Sequence, residues 1–261
     1  MNIVICLKAV PEARDVKIDR QTSTLVAEGV KKIINPLDTY ALEEGVRLKE
    51  RCGGKVTVIS MGPPQAVNTL RETLSLGADE AVLLSDDAFA GADTWATAYT
   101  LAAAIKKLGQ YDLVICGRQT LDGDTGQVGP QLAEMLGLPI ITNVSQVEEI
   151  TGGELRTRRL IDEGYAVIQA SLPAVITVTK SINVPRLPSL RSILKSKSSV
   201  IPVWGLKELG IDGAKVGTTG SFTRVIKVFY PERVRQSTVF QGEITIQVDS
   251  LVDKLKSAGL V

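Results

Sequence analysis

Short apolar runs alternate with longer segments of helical period through the first two thirds of the chain, and this alternation restricts the possible folds most strongly. Runs rich in Val, Ile and Leu cover residues 2–9, 55–61, 80–84 and 112–116. Segments with the spacing of amphipathic helices lie between them, at residues 37–51, 64–76 and 94–108. On the third helix the small and apolar residues that should cover a sheet are Ala98, Leu101, Ala102 and Ile105. This order predicts β-α-β units whose strands pair in parallel in one sheet.

The pattern changes after Pro139. Three β-rich runs, at residues 140–149, 154–160 and 165–168, are separated by the turn sequences TGG and DEG, and one more buried strand is predicted at 174–179. We therefore expect an α/β fold with a mostly parallel, Rossmann-like sheet, an antiparallel β extension and a C-terminal arm. The predicted domains are residues 1–200 and the arm at 201–261, with a closing helix near residues 251–256.

Composition excludes several classes of function. With 261 residues and 44% hydrophobic content, the chain can bury a core without disulfides or metals. A net charge of +1 gives no reason to expect nucleic acid as a partner. Because histidine is absent, imidazole chemistry, His metal sites and Ser-His-Asp triads are excluded, so we expect no catalytic side chain and no metal site, and any chemistry must come from a cofactor. No apolar run approaches about 20 residues, and the three cysteines form no CxxC pair, which favours a cytoplasmic protein without membrane insertion.

The segment with the strongest indication of a ligand is GRQTLDGDTGQVG, residues 117–129, here called the glycine-rich loop. It follows the fourth predicted strand, and ligands of open α/β sheets bind beyond the carboxyl ends of strands. Gly123 and Gly126 allow a ligand to approach the backbone, and Thr125 adds a hydroxyl donor. Asp124 is predicted to cap the next helix, with Gln127 completing a capping box, so that the helix N-terminus faces a phosphate.

The acidic residues of this loop argue against a simple phosphate site. Asp122 and Asp124 would repel an anion unless they face amides, ribose hydroxyls or a metal. A glycine-rich turn with an acidic helix cap is an equally good interpretation from the residue types alone, because the loop matches neither a GxGxxG nor a Walker sequence.

Two other helix starts could also face a ligand. In NPLD, Asn35 can cap the first helix, Pro36 suits its first position, and Asp38 can bond back to the cap's amide. The turn GADT, ending in Asp93 and Thr94, precedes the third helix. Ordinary helix capping is the alternative interpretation for both.

A third feature is PRLPSLRSILKSK, residues 185–197, here called the docking segment. Its prolines expose a short helix with Leu190, Ile193 and Leu194 on one face and cations such as Lys195 around them. This pattern suits transient docking of a partner, and it equally suits a surface helix whose apolar face packs inward.

Five segments occur together in one order: VICLKAVPE, INPLDTYALEEGVRLKE, VTVISMGPPQA with RETLSLGADEA, VICGRQTLDGDTGQVGPQLAEMLGLP, and LPAVITVTKSINVPRLPSLRSILKSK. In this respect the chain resembles the β subunit of electron-transfer flavoproteins from its first residue to its C-terminus. The resemblance implies a sheet of the adenine-nucleotide α-hydrolase-like type and a partner α subunit that carries an FAD. It also implies a second nucleotide site in this chain, formed by Cys6, Ala9, Asn35, Pro36, Leu37, Asp38, Met61, Gly117, Arg118, Gln119, Asp122, Gly123, Asp124, Thr125, Gly126, Gln127 and Val128.

Members of this family hold either AMP as a structural nucleotide or a second FAD that accepts hydride from NADH. DGDTGQVGP and GADTWATA look like the FAD-binding, electron-bifurcating branch, in which Thr94, Thr97 and Thr125 would help hold the diphosphate, and Asp93 is a further cofactor-binding residue that the resemblance implies. Gly126 and Trp95 depart from that branch, where alanine and leucine are expected. The implied function is to take hydride from NADH and send electrons both to a dehydrogenase, through the α-subunit FAD, and to ferredoxin or flavodoxin.

The docking segment resembles the recognition loop of the family, with Leu190 as its apolar anchor. The resemblance implies docking on a flavoprotein dehydrogenase of the acyl-CoA or 2-hydroxy acid type. Two alternatives stay open at this point: an AMP-binding subunit of a non-bifurcating flavoprotein, and a free-standing nucleotide-binding protein of the universal-stress type.

Overall fold

Nine strands form one sheet in the computed structural model, which describes residues 1–12, 17–19, 24–26, 31–227, 229 and 237–261, with only the backbone of 17–19 and 24–26. In chain order the strands are β1 (Asn2–Cys6), β2 (Ala9–Pro11), β3 (Lys17–Asp19), β4 (Thr24–Val26), β5 (Lys32–Ile34), β6 (Lys55–Met61), β7 (Glu80–Leu84), β8 (Leu113–Gly117), β9 (Ile140–Thr151), β10 (Glu154–Ile161), β11 (Gly164–Ser171), β12 (Ala174–Val178) and β13 (Val203–Trp204). The helices are α1 (Pro36–Cys52), α2 (Val67–Ser75), α3 (Thr94–Leu108), α4 (Val128–Leu136), α5 (Leu190–Lys197), α6 (Leu206–Leu209), α7 (Gly217–Gly220) and α8 (Ile244–Ser257).

The strand order of the large sheet is β11-β10-β9-β12-β8-β1-β6-β7-β13. Pairs from β9 through β12, β8, β1, β6 and β7 to β13 are parallel, whereas β9, β10 and β11 pair with one another in antiparallel fashion. The predicted mostly parallel sheet with an antiparallel extension is therefore confirmed. Strands β2 with β5 and β3 with β4 form two separate short ladders.

Helices cover both faces of the parallel strands. Successive strand residues point to opposite faces, so Ile3 and Ile5 pack with α1 on one side while Val4 and Cys6 join a second cluster on the other. The predicted apolar face of α3 lies in that second cluster, since Ala98, Leu101, Ala102 and Ile105 are all buried. Fully buried parallel strands explain why their sequences read as unbroken Val and Ile runs.

Several predicted boundaries shift. The run at residues 2–9 is two strands, because the chain leaves β1 after Cys6, and the helix expected at 64–76 begins as a 3₁₀ turn, Pro64–Ala66, ahead of α2. Gly137 ends α4 in the left-handed conformation, φ 68°, as expected of a C-terminal glycine.

The chain divides into two compact units, Met1–Lys227 and Val228–Val261. The expected boundary at residue 200 falls inside the first unit, since β13 pairs with β7 of the large sheet. The second unit contains α8, which is longer than the predicted helix at 251–256 and exposes Ile244, Ile246 and Val248. Among the described residues, no helix has the length and apolar character needed to cross a membrane.

Candidate functional site

The chain changes direction across the sheet between β1 and β8, which are neighbours and end side by side at Cys6 and Gly117. From β1 the chain continues to β6 on one side, and from β8 it continues to β9 and β12 on the other. Such a switch point opens a crevice beyond the carboxyl ends of the strands, where open α/β sheets bind their ligands. The predicted site residues of α1 and of the glycine-rich loop converge on this crevice.

Asp38 joins the ends of β1 and β8. Its side chain is buried, and its carboxylate accepts hydrogen bonds from the amide of Lys8, at 2.8 Å, and from the amide of Gly117, at 3.2 Å. The expected bond from Asp38 back to the Asn35 amide is wrong, because that amide donates to the carbonyl oxygen of Lys8, at 2.9 Å. Asp38 therefore holds two strand ends together instead of closing a local cap.

Burial raises the pKa of Asp38 to about 7, although hydrogen bonds from Lys8, Asn35 and Gly117 act in the opposite direction. All of these partners are donors, so the ionised carboxylate is the form that satisfies them. The site thus contains a carboxyl group that changes its charge near neutral pH.

Asn35 is fully buried and connects α1 to the glycine-rich loop. Its Nδ2 donates to the carbonyl oxygen of Gln119, at 2.9 Å, and its Oδ1 accepts from the amide of Leu121, at 3.1 Å. The predicted cap is wrong, because the Asn35 side chain makes no cap bond to a backbone amide of α1, whereas Pro36 does occupy the first helical position. The tertiary contact replaces the local one because both side-chain groups are used on the loop.

The two acidic residues of the loop each have a partner. Asp122 pairs with the ammonium of Lys8, at 2.6 Å, and accepts from the amide of Gly123. Burial acts to raise the pKa of Asp122, but the hydrogen bond and charge of Lys8 outweigh it and leave the pKa below its ordinary value. Asp124 accepts from the side-chain amide of Gln119. The repulsion expected from these carboxylates is therefore reduced, because both are engaged within the protein.

The predicted capping box is wrong. Asp124 lies before α4 in the left-handed conformation, φ 50°, and α4 begins at Val128 after Gln127, which makes no side-chain cap bond. The first turn of α4 consists of Val128, Gly129 and Pro130. Because proline has no N–H, the backbone donors of this helix end are the amides of Val128 and Gly129. A helix end without a side-chain cap leaves its amides and positive dipole end available to an anion.

The start of α3 lies beside that of α4. Thr94 donates its hydroxyl to Gln127 Oε1, at 3.2 Å, and thus joins the two helix ends. Asp93 caps α3 through the Ala96 amide, at 3.0 Å, so the capping interpretation of GADT is confirmed. The same carboxylate also accepts from the amides of Phe222 and Thr223, and it places a negative charge at this helix end. Thr97, in the first turn of α3, is partly buried.

Other predicted residues form the floor of the crevice. Cys6 is buried at the end of β1 against Cys116, and the hydrogen bond between the thiols, with burial, raises the pKa of Cys116 well above its ordinary value. Met61 ends β6 and Ala9 begins β2, and both are partly buried. A Cβ on Gly129 would overlap the Thr177 methyl, so only glycine lets α4 approach β12 this closely.

A polar cavity of about 450 Å³ opens beside the glycine-rich loop. Its loop side consists of Arg118, Gln119, Asp124, Thr125 and Gly126, all of which were predicted site residues. Its other wall consists of Thr142, Asn143 and Thr177, which sequence reasoning missed.

The missed wall residues lie in strands that read as ordinary sheet. The one available signal is Asn143, because asparagine tolerates the left-handed conformation it adopts within β9, φ 57°. The backbone amide of Asn143 donates a hydrogen bond to the Thr177 hydroxyl oxygen, at 3.1 Å.

The docking segment consists of α5 and the residues just before it. Leu187, Leu190 and Leu194 are 90%, 81% and 65% exposed, whereas Ile193 is partly buried. The predicted single apolar face is therefore divided, with Ile193 turned toward the protein and the leucines toward solvent. Lys195 and Lys197 flank the leucines in the last turn of α5.

The fold and the strand-end site together define an α/β protein with a doubly wound, mostly parallel sheet and a polar crevice at its switch point. A family model described as an electron transfer flavoprotein domain matches residues 22–209. The chain belongs to the electron transfer flavoprotein family, and its resemblance to the β subunits is confirmed by full-length relatives.

Three relatives show how far this similarity extends. The chain is 47% identical over 262 residues to the electron transfer flavoprotein subunit beta of Thermoanaerobacterium thermosaccharolyticum, with 100% of both chains covered. It is 48% identical over 256 residues to the corresponding subunit of Clostridium acetobutylicum, with 98% of each chain covered. It is 43% identical over 263 residues to the caffeyl-CoA reductase-Etf complex subunit CarD of Acetobacterium woodii, with 100% of both chains covered.

Proposed function

We propose that this chain pairs with an electron-transfer flavoprotein α subunit and binds FAD at the switch-point crevice. In the assembled protein, NADH delivers hydride to this site, and electrons leave both to a flavoprotein dehydrogenase, through the α-subunit FAD, and to ferredoxin or flavodoxin. The flavin supplies the hydride and electron-transfer chemistry when bound, and the chain supplies binding and orientation.

The observation that carries the proposal is the uncapped start of α4 at the end of β8. The amides of Val128 and Gly129 have no side-chain cap, and the polar cavity with Arg118 and Thr125 lies beside the same loop. Backbone amides, a hydroxyl and a guanidinium are the donors that a diphosphate needs, and the helix dipole favours its charge.

Asn35 and Asp38 support this site from below. Because they bind the backbone of the loop at Gly117, Gln119 and Leu121, they keep the loop at one distance from the strand ends. The pair of Lys8 and Asp122 adds a second connection between β1 and the loop. A loop held at four residues is preorganised for a ligand, which reduces the entropy lost on binding.

The proximity of α3 to α4 favours FAD over AMP. Thr94 contacts Gln127, so a hydroxyl of α3 lies next to the uncapped start of α4. Two such groups of donors suit the two linked phosphates of FAD, whereas AMP has one phosphate. The carboxylate of Asp93, which caps α3, limits this end to hydroxyl contacts from Thr94 and Thr97.

Cofactor analysis of the purified heterodimer tests the proposal. Two FAD per heterodimer and bleaching of both flavins by NADH are expected, whereas one FAD with one AMP would establish the structural-nucleotide alternative. The Thr125→Ala substitution should lower occupancy of the β-subunit nucleotide, because it removes a donor at the loop. The matched control is Thr151→Ala, at an exposed position at the end of β9. Equal occupancy in both variants would exclude a role for Thr125.

We also propose that the docking segment binds the dehydrogenase. Leu190 stands exposed among cations of α5, and this arrangement fits an apolar socket with an acidic rim. An acyl-CoA dehydrogenase is the favoured partner class, because one relative belongs to a caffeyl-CoA reductase-Etf complex. A 2-hydroxy acid dehydrogenase is the other class that the family resemblance implies.

Steady-state reduction of the dehydrogenase tests the docking role. Leu190→Ala should raise the dehydrogenase concentration needed for half-maximal rate by roughly tenfold or more, in line with the loss of an interface anchor. Leu160→Ala, on β10, is the control for truncation of an exposed leucine. An unchanged concentration for Leu190→Ala would show that partners dock elsewhere.

A further inference from the structure

The docking segment is held to the body of the protein at both ends, and the two attachments differ. At its start, the Arg186 side chain donates to Glu43, at 2.8 Å, and to Glu50, at 2.6 and 3.0 Å, both on α1. Glu43 is buried, and although burial acts to raise its pKa, hydrogen bonds from Arg186 and Arg47 leave the pKa below its ordinary value. Its carboxylate is therefore ionised and available to Arg186.

At the other end of the segment, one guanidinium of α2 binds the backbone. Arg71 Nη1 lies 2.9 Å from the carbonyl oxygens of Ser196 and Lys197 and 3.0 Å from that of Ser199. These carbonyls belong to the last turn of α5 and the residues just beyond it, where a helix runs out of backbone donors; that of Ser196 also accepts from the Ser199 amide, at 3.3 Å. A cation at the negative end of the helix dipole is also favourable.

We propose that Arg71 is a positioning residue for partner docking: it fixes the C-terminal end of α5 so that the exposed Leu190 and Leu194 of this helix are held in one orientation toward the partner. The inference rests on the proposed docking function of this segment. Arg71 itself lies on α2, is partly buried and uses its donors on α5, so it acts through the leucines and not by touching a partner.

The packing explains why such a residue is needed. An eight-residue helix is too short to be stable alone in water. Before a partner binds, the exposed leucines do not pack against the protein, so they do not stabilise the helix. The helix is tied to α2 by its buried side, where Ser196 is almost completely covered, and by the three carbonyl bonds from Arg71. Removing those bonds frees the last turn, and docking would then have to reorder it.

Limited trypsin digestion of the complete heterodimer tests the hold on α5 without any partner. Trypsin cleaves after Arg191, Lys195 and Lys197, all within α5. Arg71→Met removes the donors and keeps an apolar stem, and cleavage at these positions should accelerate by about tenfold or more, because cleavage follows the population of the opened segment. Arg51→Met is the matched control, since Arg51 is an exposed arginine in the last turn of α1. Equal cleavage rates in the two variants would overturn the inference.

The second measurement uses a purified acyl-CoA dehydrogenase that the unmodified heterodimer reduces. Arg71→Met should raise its half-saturating concentration by about tenfold, with the rate at saturation, the flavin content and the melting temperature unchanged. Arg71→Lys should recover part of the effect, because an ammonium still donates to carbonyls. Loss of flavin or of melting temperature with an unchanged half-saturating concentration would show a merely structural role and overturn the inference.

Leu190→Ala separates the inference from the docking proposal. If Leu190→Ala weakens docking and Arg71→Met does not, the positioning role is wrong while the docking proposal stands. If neither variant weakens docking, the docking proposal itself fails, and the positioning role fails with it. If both weaken docking and only Arg71→Met accelerates cleavage, the inference is supported.

Discussion

Gly117→Ala should damage the nucleotide site more than any other single methyl group added to the glycine-rich loop. A Cβ at Gly117 would overlap Asp38 Oδ1 and would lie 2.8 Å from the carbonyl carbon of Leu37 and 2.9 Å from the nitrogen of Asp38. Two of these atoms are backbone at the start of α1, so the helix itself must move. The bond from the Gly117 amide to Asp38, 3.2 Å long, would be lost with that movement.

The expected cost follows from these two effects. Overpacking of a close contact costs about 1–3 kcal/mol, and a lost hydrogen bond to a charged group costs about 1.5–3 kcal/mol, so the sum is about 2.5–6 kcal/mol. The protein can relieve part of this cost by moving the glycine-rich loop away from α1. That movement would disturb the nucleotide site and lower the loss in free energy of unfolding. We therefore expect both a lower melting temperature and a lower nucleotide content.

Gly123→Ala is the matched control within the same loop. Its added Cβ would meet only Thr120 Oγ1, at 3.6 Å, which is ordinary contact, and Gly123 does not have a positive φ. The control should be neutral or slightly stabilised, by about 0.4–1 kcal/mol, through loss of chain entropy in the unfolded state. Thermal unfolding and nucleotide content of both heterodimers at pH 8 decide the matter. If Gly117→Ala matches Gly123→Ala in both measurements, the proposed close contact between α1 and β8, through Asp38 and Gly117, is wrong.

Two further predictions concern other carboxylates. Because burial raises the pKa of Asp38 to about 7 from 3.8, the folded chain keeps a proton between about pH 4 and pH 7 that the unfolded chain releases, and its stability falls as pH rises through this window. Asp38→Asn removes this dependence, so the stability of the variant relative to the unmodified protein should rise by about 3 kcal/mol from pH 5 to pH 8, measured as a relative increase in melting temperature. A stability difference that stays constant with pH would contradict the raised pKa of Asp38. Asp93→Ala removes the cap of α3 and the bond to the Phe222 amide, and should cost about 1–3 kcal/mol in thermal unfolding. Asp87→Ala, at an exposed neighbouring carboxylate, should cost nothing measurable, and equal melting temperatures for the two variants would refute the capping role.

Periodicity was sufficient for the central sheet. Each strand and helix shows its own repeat of apolar residues, and that repeat depends only on which faces are buried. The glycine-rich loop was also located correctly, because Gly and Asp accumulate where a strand ends and a helix begins. The errors at residues 2–9 and 64–76 lie at element ends, where local propensities are weak and tertiary contacts decide.

The capping residues show where local reasoning stops. Asn35, Asp38 and Asp124 each have a short polar side chain next to a helix start, and such side chains normally bind the nearest free amides. In the folded chain Asn35 binds residues 84 and 86 positions away, and Asp38 binds an amide 79 positions away. No sequence window contains both partners of these bonds.

The sequence by itself determined the layers of the fold and the place of the glycine-rich loop. Only the tertiary structure decided that α4 begins without a cap, that Asp38 joins β1 to β8, and that Arg71 holds a helix 125 residues further along the chain. The reason is physical: burial patterns repeat along the chain, whereas a hydrogen bond depends on which donors and acceptors the packed sheet and helices bring within about 3 Å.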